Sequence, residues 1–330
     1  MTLPRLVGAF AMQPEVLPAA FSGGLVARLN AGLDLLDDGG RVLAFDDDRL
    51  AEVSVLITSW GCPPIDTTVL DAAPQLRAIV HAAGSVRGHV PRDAWYRGIT
   101  VSSAADANAG PVADYTAAAI AFGVKRALPL AGRYAQGHFA EFQERPGVDG
   151  RVVGVVGASR IGRLVIHRLV ATGYQVLVAD PYLSPDEAAA LGAELLDLDA
   201  LCRRSDVLTV HAPELPSTRR LINADRLRLL PDGALVVNTA RGSLIDTDAL
   251  VAECATGRLD AILDVTDPEP LPTDHRLFAL PNVLVTPHIA GVQGSEVLRF
   301  GRYATSEVER FLAGEPLLGE VHLRDLETMA

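Results

Sequence analysis

Short apolar runs alternate with longer amphipathic segments along the second half of the chain. Uninterrupted runs of Val, Leu and Ile of this length are typical of strands that helices cover on both faces. The pattern predicts six strands of a doubly wound parallel sheet, at 151–157, 175–180, 205–213, 233–240, 261–265 and 282–288.

A looser alternation precedes residue 105. Its apolar runs predict five further strands, in "PRLVGAF", "RVLAF", "VSVLITS", "LRAIVHAAG" and "GITVSS". The next segment, "GPVADYTAAAIAFGVKRAL", predicts a long helix, and residues 295–312 predict an amphipathic C-terminal helix. Because no strand follows the C-terminal helix, we expect it to return to the N-terminal domain.

The composition is that of a globular protein of about two domains, with 330 residues of which 49% are hydrophobic and 21% charged. The net charge of -12 argues against nucleic acid or an anionic membrane as a partner, since both attract clusters of Lys and Arg. Lys125 is the single lysine and lies in an Ala-rich predicted helix, which disfavours Schiff-base chemistry.

The three cysteines, Cys62, Cys202 and Cys254, are far apart in the sequence. Their number and spacing predict reduced thiols, with neither a disulfide framework nor a metal site. The N-terminus lacks a basic leader before an apolar stretch, and no run of about 18 apolar residues occurs. We therefore expect a soluble, cytoplasmic protein with no membrane partner and no metal.

The stretch "GVVGASRIG" carries two of the three glycines of a dinucleotide-binding turn. In the fingerprint G-x-G-x-x-G, Gly157 and Gly162 hold the first and third glycine positions and Ser159 holds the second. A predicted strand precedes the turn and a predicted helix follows it, so a helix N-terminus can meet a pyrophosphate there. Asp180 follows about twenty residues later at a strand end, where a carboxylate binds the adenosine ribose and repels a 2′-phosphate. We therefore predict NAD as the cofactor, preferred over NADP because of Asp180.

Three residues suited to catalysis follow three of the predicted strands. They are Arg241 in "NTARGSLID", Glu269 in "LDVTDPEPLP" and His288 in "VLVTPHIAG". Because the carboxyl ends of parallel strands meet at one edge of a sheet, we expect the three side chains in one cleft. An Arg holds a carboxylate, and a His oriented by a Glu exchanges protons near neutral pH. This combination predicts acid/base chemistry on a small carboxylic acid.

The sequence resembles the D-isomer-specific 2-hydroxyacid dehydrogenase family over nearly its whole length. The motifs "GASRIG" with Asp180, "HAPELPSTRRLI", "NTARGSLID", "DPEPLP" and "LPNVLVTPHIAG" occur in that family's order and spacing. The resemblance implies an α/β fold of two Rossmann-like parallel-sheet domains, with the cofactor domain inserted into a flavodoxin-like substrate domain. The implied boundaries are 1–105 and 293–330 for the substrate (lid) domain and 106–292 for the NAD-binding Rossmann domain.

The resemblance also implies roles for individual residues. Arg241 would orient the substrate carboxylate, His288 would be the acid/base, and Glu269 would hold its imidazole. Gly84 and Ser85 in "AAGSV" would bind the substrate together with Arg241 and His288. The implied cofactor-binding residues are Gly157, Ser159, Arg160, Ile161, Gly162, Asp180, Pro213, Thr218, Thr239, Asp264 and Gly291.

The implied activity is hydride transfer between NAD(H) and C2 of a small 2-hydroxy or 2-oxo acid, as in hydroxypyruvate and glyoxylate reductases. The resemblance further implies a homodimer joined through the cofactor domain. The chain ends soon after its last predicted helix, so we expect no separate regulatory domain. An NAD-sensing, corepressor-like binding protein with little turnover is the alternative, and the presence of Arg241, Glu269 and His288 favours the enzyme.

The chain departs from the family pattern at three places. "VRGHV" places Arg87 after the carboxylate loop, and "SWGCPP" places Trp60 after a strand. We predict that Trp60 and Arg87 make the substrate pocket unusual; a packed Trp and a solvated Arg are the alternative. At the third place, we predict that Ser159 modifies NAD binding without abolishing it, because the rest of the site is present.

Overall fold

The structure, a computed structural model, describes residues 5–36, 42–144 and 146–327. Its contacts divide the chain into two compact units, one of Met1–Asn108 with Val292–Ala330 and one of Ala109–Gly291. The sequence predicted domain boundaries after residues 105 and 292. These boundaries stay a prediction.

The first unit is built on a parallel sheet that has five strands within the described residues, in the order β2-β1-β3-β4-β5. This is the flavodoxin-like strand order. Its strands and helices are β1 (Leu6–Ala11), α1 (Val16–Ala20), α2 (Gly23–Gly32), β2 (Leu33–Leu35), β3 (Val55–Thr58), α3 (Thr67–Ala72), β4 (Ala78–His81), α4 (Asp93–Tyr96) and β5 (Thr100–Ser103). Helix α5 (Ala105–Val124) begins in this unit and ends in the second.

Alternate residues of the first sheet enter two separate apolar clusters, one on each face. Leu56 and Ile79 lie in one cluster, whereas Ile57 and Val80 lie in the other. This follows from the two-residue repeat of a strand, which turns neighbouring side chains to opposite faces. The C-terminal helix packs into the second of these clusters, so both faces of the sheet are covered.

One predicted strand of the first unit is wrong. In the run "RVLAF", residues 42–45 form no strand, and Arg41 lies outside the described residues. The strand beside β1 is β2, which pairs in parallel register with Leu6–Gly8 and directly follows a helix without a turn signal. Leu43 is buried and its amide donates one hydrogen bond to the Phe10 carbonyl, so the run packs on the sheet without joining it.

The second unit holds seven parallel strands in residues 152–285, in the order β12-β11-β10-β9-β6-β7-β8. Counted from its first strand, this is the dinucleotide-binding order 3-2-1-4-5-6 with one strand added at the far edge. Its elements after α5 are α6 (Ala127–Ala135), β6 (Val152–Val156), α7 (Arg160–Ala171), β7 (Gln175–Ala179), α8 (Pro185–Ala190), β8 (Ala193–Leu195), α9 (Leu198–Arg204), β9 (Val207–Val210), α10 (Ala224–Leu229), β10 (Leu235–Asn238), α11 (Thr247–Ala255), β11 (Asp260–Leu263) and β12 (Val283–Val285). The last helix of the chain, α12 (Leu298–Ala313), belongs to the first unit.

Each of the six apolar runs predicted in this half of the chain contains a strand. The seventh strand, β8, was missed because it has three residues, of which only Ala193 is buried. Strands β6, β9 and β10 at the centre of the sheet are almost entirely buried, as expected for a parallel sheet between two helical layers. The carboxyl ends of these strands therefore open onto one edge of the sheet.

Within the described residues, no helix is both long enough and apolar enough to cross a bilayer. The three cysteines carry free thiols. Burial raises the pKa of Cys202 to about 11 and those of Cys62 and Cys254 to about 12, so all three thiols stay protonated at neutral pH.

Candidate active site

The turn between β6 and α7 has no space for side chains at its first and last glycines. Gly157 has φ of +98°, and a Cβ on it would lie 2.7 Å from the Ala212 backbone nitrogen. A Cβ on Gly162 would lie 2.1 Å from the Gly157 carbonyl oxygen. Both positions therefore require glycine, since other residues would push the turn away from the neighbouring loop.

Ser159 needs no such freedom, because its backbone is extended with φ of -62° and ψ of 176°. It is the N-cap of α7, and its hydroxyl oxygen accepts a hydrogen bond from the Gly162 amide at 3.2 Å. Serine is among the best N-cap residues for this reason. Arg160 and Ile161 are the first two residues of the helix that follows.

Asp180 lies directly after β7, and its carboxylate faces the same turn. One carboxylate oxygen accepts from the Ala158 amide at 2.7 Å and the other from the Tyr182 amide at 2.8 Å. Each oxygen has a second lone pair, so the carboxylate can also accept from ribose hydroxyls. The glycines, the 12-residue helix α7 and Asp180 thus fit the pyrophosphate and ribose of a dinucleotide.

His211 packs beneath this turn, with its Cβ 3.3 Å from the position of a Cβ on Gly162. Burial lowers the pKa of its imidazole to about 3, so the ring is neutral. A ring nitrogen lies 2.9 Å from the Thr209 hydroxyl. We interpret His211 as a structural residue, because its neutral ring is buried and its backbone and Cβ pack against the glycine turn.

His288 and Glu269 are brought together by the loops after β12 and β11. The His288 Nδ1 atom lies 2.6 Å from a Glu269 carboxylate oxygen, and the two side chains are 50% and 41% exposed. His288 has φ of +54°, a left-handed conformation that non-glycine residues seldom adopt. Such a conformation persists only where the surroundings impose it, and it is common at active sites.

Asp264 imposes that conformation from beneath the loop. Its buried carboxylate accepts from the amides of Ile289 and Ala290 at 2.9 and 2.8 Å and from the Thr286 hydroxyl at 2.5 Å. Its backbone carbonyl accepts from the His288 amide at 2.9 Å. The placement of Asp264 at the nicotinamide end of the cofactor stays a prediction. In the structure Asp264 also holds the loop that carries His288.

Tyr115 of α5 extends the same network. The Thr286 hydroxyl has one proton, which goes to Asp264, so the Tyr115 hydroxyl at 2.9 Å is the donor to Thr286. Burial raises the pKa of the Tyr115 phenol, which keeps that proton in place over the neutral range. The loop that carries His288 is thus held from two sides.

Arg241 lies immediately beyond β10 in a half-buried position. Its backbone is fixed by Asn238, whose side-chain amide donates to the Arg241 carbonyl at 2.8 Å and accepts from the Ala240 amide at 3.0 Å. The next residue, Gly242, touches the loop that carries Glu269, since a Cβ there would lie 1.9 Å from the Thr266 carbonyl carbon. The Arg241 and Glu269 loops are therefore in direct contact.

The remaining predicted cofactor residues of this unit lie at the same edge of the sheet. Pro213 and Thr218 share one turn after β9, in which the Thr218 hydroxyl donates to the Pro213 carbonyl at 2.6 Å. Thr239 follows β10 and its buried hydroxyl lies 2.8 Å from that of Thr116. Gly291 lies in the loop of His288, three residues after it. Their predicted contacts with a cofactor stay predictions.

The predicted substrate residues of the first unit follow β3 and β4. Trp60 is 39% exposed and packs edge-on against the buried Phe300, with ring centroids 5.4 Å apart. Gly84 and Ser85 are partly buried, whereas Arg87 is exposed and its amide donates to the Ser85 hydroxyl at 3.2 Å. The roles of these four residues in substrate binding stay predictions.

Sequence reasoning missed three residues that position the site. Asn238 carried a usable signal, because an Asn at a strand end commonly turns the chain through its own side chain. Thr286 and Tyr115 carried none, since 171 residues separate them and only the fold brings them together. Among the described residues, no three His, Cys, Asp or Glu side chains are close enough to hold a metal ion.

Comparison with known proteins agrees with this geometry. Residues 118–290 match the family model of the D-isomer specific 2-hydroxyacid dehydrogenase NAD binding domain. A D-3-phosphoglycerate dehydrogenase of Mycobacterium tuberculosis is 40% identical over 255 residues, which are 76% of this chain and 48% of that protein. The chain thus spans about half the length of such relatives.

Two further matches cover most of both proteins. A glyoxylate reductase of Thermofilum pendens is 33% identical over 259 residues, or 76% of each chain. The crystal structure of the TT0316 protein from Thermus thermophilus superposes with a TM-score of 0.77 at 31% identity, covering 96% of this chain and all of the other. The resemblance found in the sequence is confirmed. The chain belongs to the D-isomer specific 2-hydroxyacid dehydrogenase family.

Proposed function

We propose that this protein is an NAD-dependent oxidoreductase that interconverts a small 2-hydroxy acid and the corresponding 2-oxo acid. The observation that carries the proposal is the contact between His288 and Glu269, 2.6 Å apart, on a loop held in a strained conformation by Asp264. A sensing protein that binds NAD without turnover has no need of an oriented acid/base pair. The contact therefore favours catalysis over sensing.

His288 supplies the proton chemistry. The carboxylate of Glu269 at Nδ1 fixes which ring nitrogen bears hydrogen and holds the orientation of the imidazole. The other nitrogen, Nε2, then gives a proton to the C2 oxygen when a 2-oxo acid is reduced and takes it from the hydroxyl in the reverse direction. The cofactor, when bound, would supply a hydride to C2 as NADH in the reduction and accept it as NAD⁺ in the oxidation.

Arg241 holds the substrate in place. Its guanidinium can bind the substrate carboxylate with two parallel hydrogen bonds and polarise the C2 oxygen. The fixed backbone of Arg241 supports this role, because the Asn238 side chain binds both the Ala240 amide and the Arg241 carbonyl. The glycine turn, α7 and Asp180 would hold the cofactor, and Pro213, Thr239 and Gly291 would lie toward its nicotinamide.

Replacing the acid/base pair tests the proposal. With NADH and a panel of 2-oxo acids, we expect His288→Asn to lower kcat by about 10²–10⁴-fold, the usual contribution of a general acid. Glu269→Gln should lower kcat and leave KM little changed, because the amide no longer holds the tautomer and orientation of the imidazole. Steady-state rates from NADH absorbance measure both effects. His167→Asn, an exposed His on α7, is the control and should change neither. If wild type binds NADH and reduces none of the acids, the sensing alternative is favoured.

We propose that Asp180 makes the protein prefer NAD over NADP. The carboxylate accepts from ribose hydroxyls and repels the 2′-phosphate, so wild type should bind NADH at least about tenfold more tightly than NADPH. In Asp180→Ser the ratio should approach one. Fluorescence titration of both cofactors measures it, with Asp186→Ala, a nearby surface carboxylate, as the control. Equal affinities in wild type would contradict the assignment.

Ser159 tests whether the altered fingerprint still works. Its backbone needs no glycine and its hydroxyl caps α7, so wild type should bind NADH. Ser159→Gly removes the Cβ and costs the helix only a few tenths of a kcal/mol, whereas Ser159→Ala keeps the Cβ and costs about 1 kcal/mol. We expect both variants to bind NADH within about tenfold of wild type. Binding by Ser159→Gly alone would identify the natural turn as inactive.

We propose further that two copies associate through the second unit. An apolar surface, here the Phe139 surface, is formed by Leu130, Ala131, Tyr134, Phe139 and Ala140. Phe139 is 70% exposed and packs against Tyr134 with ring centroids 6.0 Å apart. Large apolar side chains grouped in this way are typical of protein interfaces. A second copy is the occupant that the resemblance to dimeric dehydrogenases implies.

Light scattering after size exclusion tests the dimer. We expect wild type at the mass of two chains and the double variant Tyr134→Ser with Phe139→Ser at or near the mass of one, because the lost apolar contact removes the attraction. Leu318→Ser, an exposed apolar residue of the first unit, should leave the mass unchanged. A monomeric wild type would refute the assignment.

A further inference from the structure

A cavity of about 390 Å³ opens beside His288 and Glu269 on the second unit. Apart from the polar residues of the site, its lining is apolar and consists of Pro270, Leu271, Phe278, Val285 and Pro287. An apolar cavity of about 150 Å³ is large enough to bind benzene. The space beside the acid/base pair is therefore larger than the smallest 2-oxo acids require.

The local fold presents Phe278 to this cavity. A single helical turn, Arg276–Ala279, follows the His275 side chain, whose Nδ1 accepts from the Leu277 amide at 3.3 Å. Leu277 is fully buried in the core and anchors the turn, while Phe278 lines the cavity and is 53% exposed. An exposed aromatic ring on an anchored turn is a preformed surface for another apolar group.

The charged groups that line the cavity are two carboxylates and one imidazole. They belong to Asp264, Glu269 and His288, and no Lys or Arg is among the lining residues, all of which the structure describes. A phosphate or second carboxylate placed here would be unfavourable, because it would meet two carboxylates and no guanidinium or ammonium group, and the one imidazole is already paired with Glu269. The cavity thus accepts an uncharged group.

We propose that this cavity receives the side chain of the substrate. This side chain is bulky and uncharged, either aromatic or branched aliphatic, and Phe278 determines the specificity for it. The inference rests on the proposed function, because His288 must act at C2 for the side chain to lie beside it. The proposed specificity differs from that expected for a relative named D-3-phosphoglycerate dehydrogenase, because here apolar contact holds the side chain.

A comparison of substrates and Phe278 variants tests the inference. For wild type we expect kcat/KM for phenylpyruvate and 4-methyl-2-oxopentanoate to exceed that for glyoxylate by at least about tenfold, since each apolar group that fits a pocket adds roughly that factor. The value for 3-phosphohydroxypyruvate should lie below that for glyoxylate. Phe278→Ala should lower kcat/KM for phenylpyruvate by about tenfold and leave glyoxylate within about twofold. Phe278→Leu should lose phenylpyruvate activity and retain that with 4-methyl-2-oxopentanoate.

The control is Tyr96→Ala, which removes an exposed aromatic ring from α4 of the first unit and should change no substrate ratio. Thermal denaturation establishes that each variant is folded. Preference for glyoxylate or the phosphorylated acid, or an unchanged ratio in Phe278→Ala, would overturn the inference while the proposed function stands. Absence of turnover with every acid would overturn both.

Discussion

The buried carboxylate of Asp264 holds the loop that carries His288, and the placement of the proposed acid/base pair depends on it. A carboxylate removed from water is costly unless donors satisfy it, and here two amides and a hydroxyl do so. All three donors belong to the loop of His288, so the need to satisfy the carboxylate fixes that loop. The left-handed backbone of His288 is then stable, and its imidazole lies against Glu269 in a preorganised contact.

The loops at the carboxyl edge of the second sheet also fix one another. The Thr247 hydroxyl donates to the Asp267 carbonyl at 3.0 Å, and Arg219 pairs with the Asp267 carboxylate at 3.0 Å. Asp267 therefore links the Glu269 loop both to α11, just beyond Arg241, and to the turn of Thr218. Since a small displacement of reacting groups costs much of the rate, this linkage between loops would support the proposed catalytic roles of Arg241 and Glu269.

The sequence allowed the edge of the sheet to be predicted, because strands buried on both faces and residues just beyond them are local features. Arg241, Glu269, His288 and Asp180 all lie just after the strands that placed them. The network of Asp264 could not be predicted, since its partners are backbone amides and a Tyr far away in the chain. The run "RVLAF" was mistaken for a strand for a different reason. Its apolar pattern reflects the burial of Leu43, and burial alone does not distinguish a strand from a segment that packs on a sheet.

The negative charge of the chain and of the cavity disfavours an anionic substrate, which limits where a substrate can carry its own negative charge. The chain has a net charge of -12 and the cavity beside His288 is lined by two carboxylates, so neither the overall field nor the cavity attracts an anion. Within the second unit, the carboxylate of a 2-oxo acid must be held by a local group, and Arg241 on its fixed backbone is suited to hold it. With His288 and Arg241 in their proposed roles, a substrate with one carboxylate would satisfy this arrangement. A second negative charge in the cavity would lie beside Glu269 with no Arg or Lys among the lining residues, which is why the proposed specificity is for an uncharged side chain.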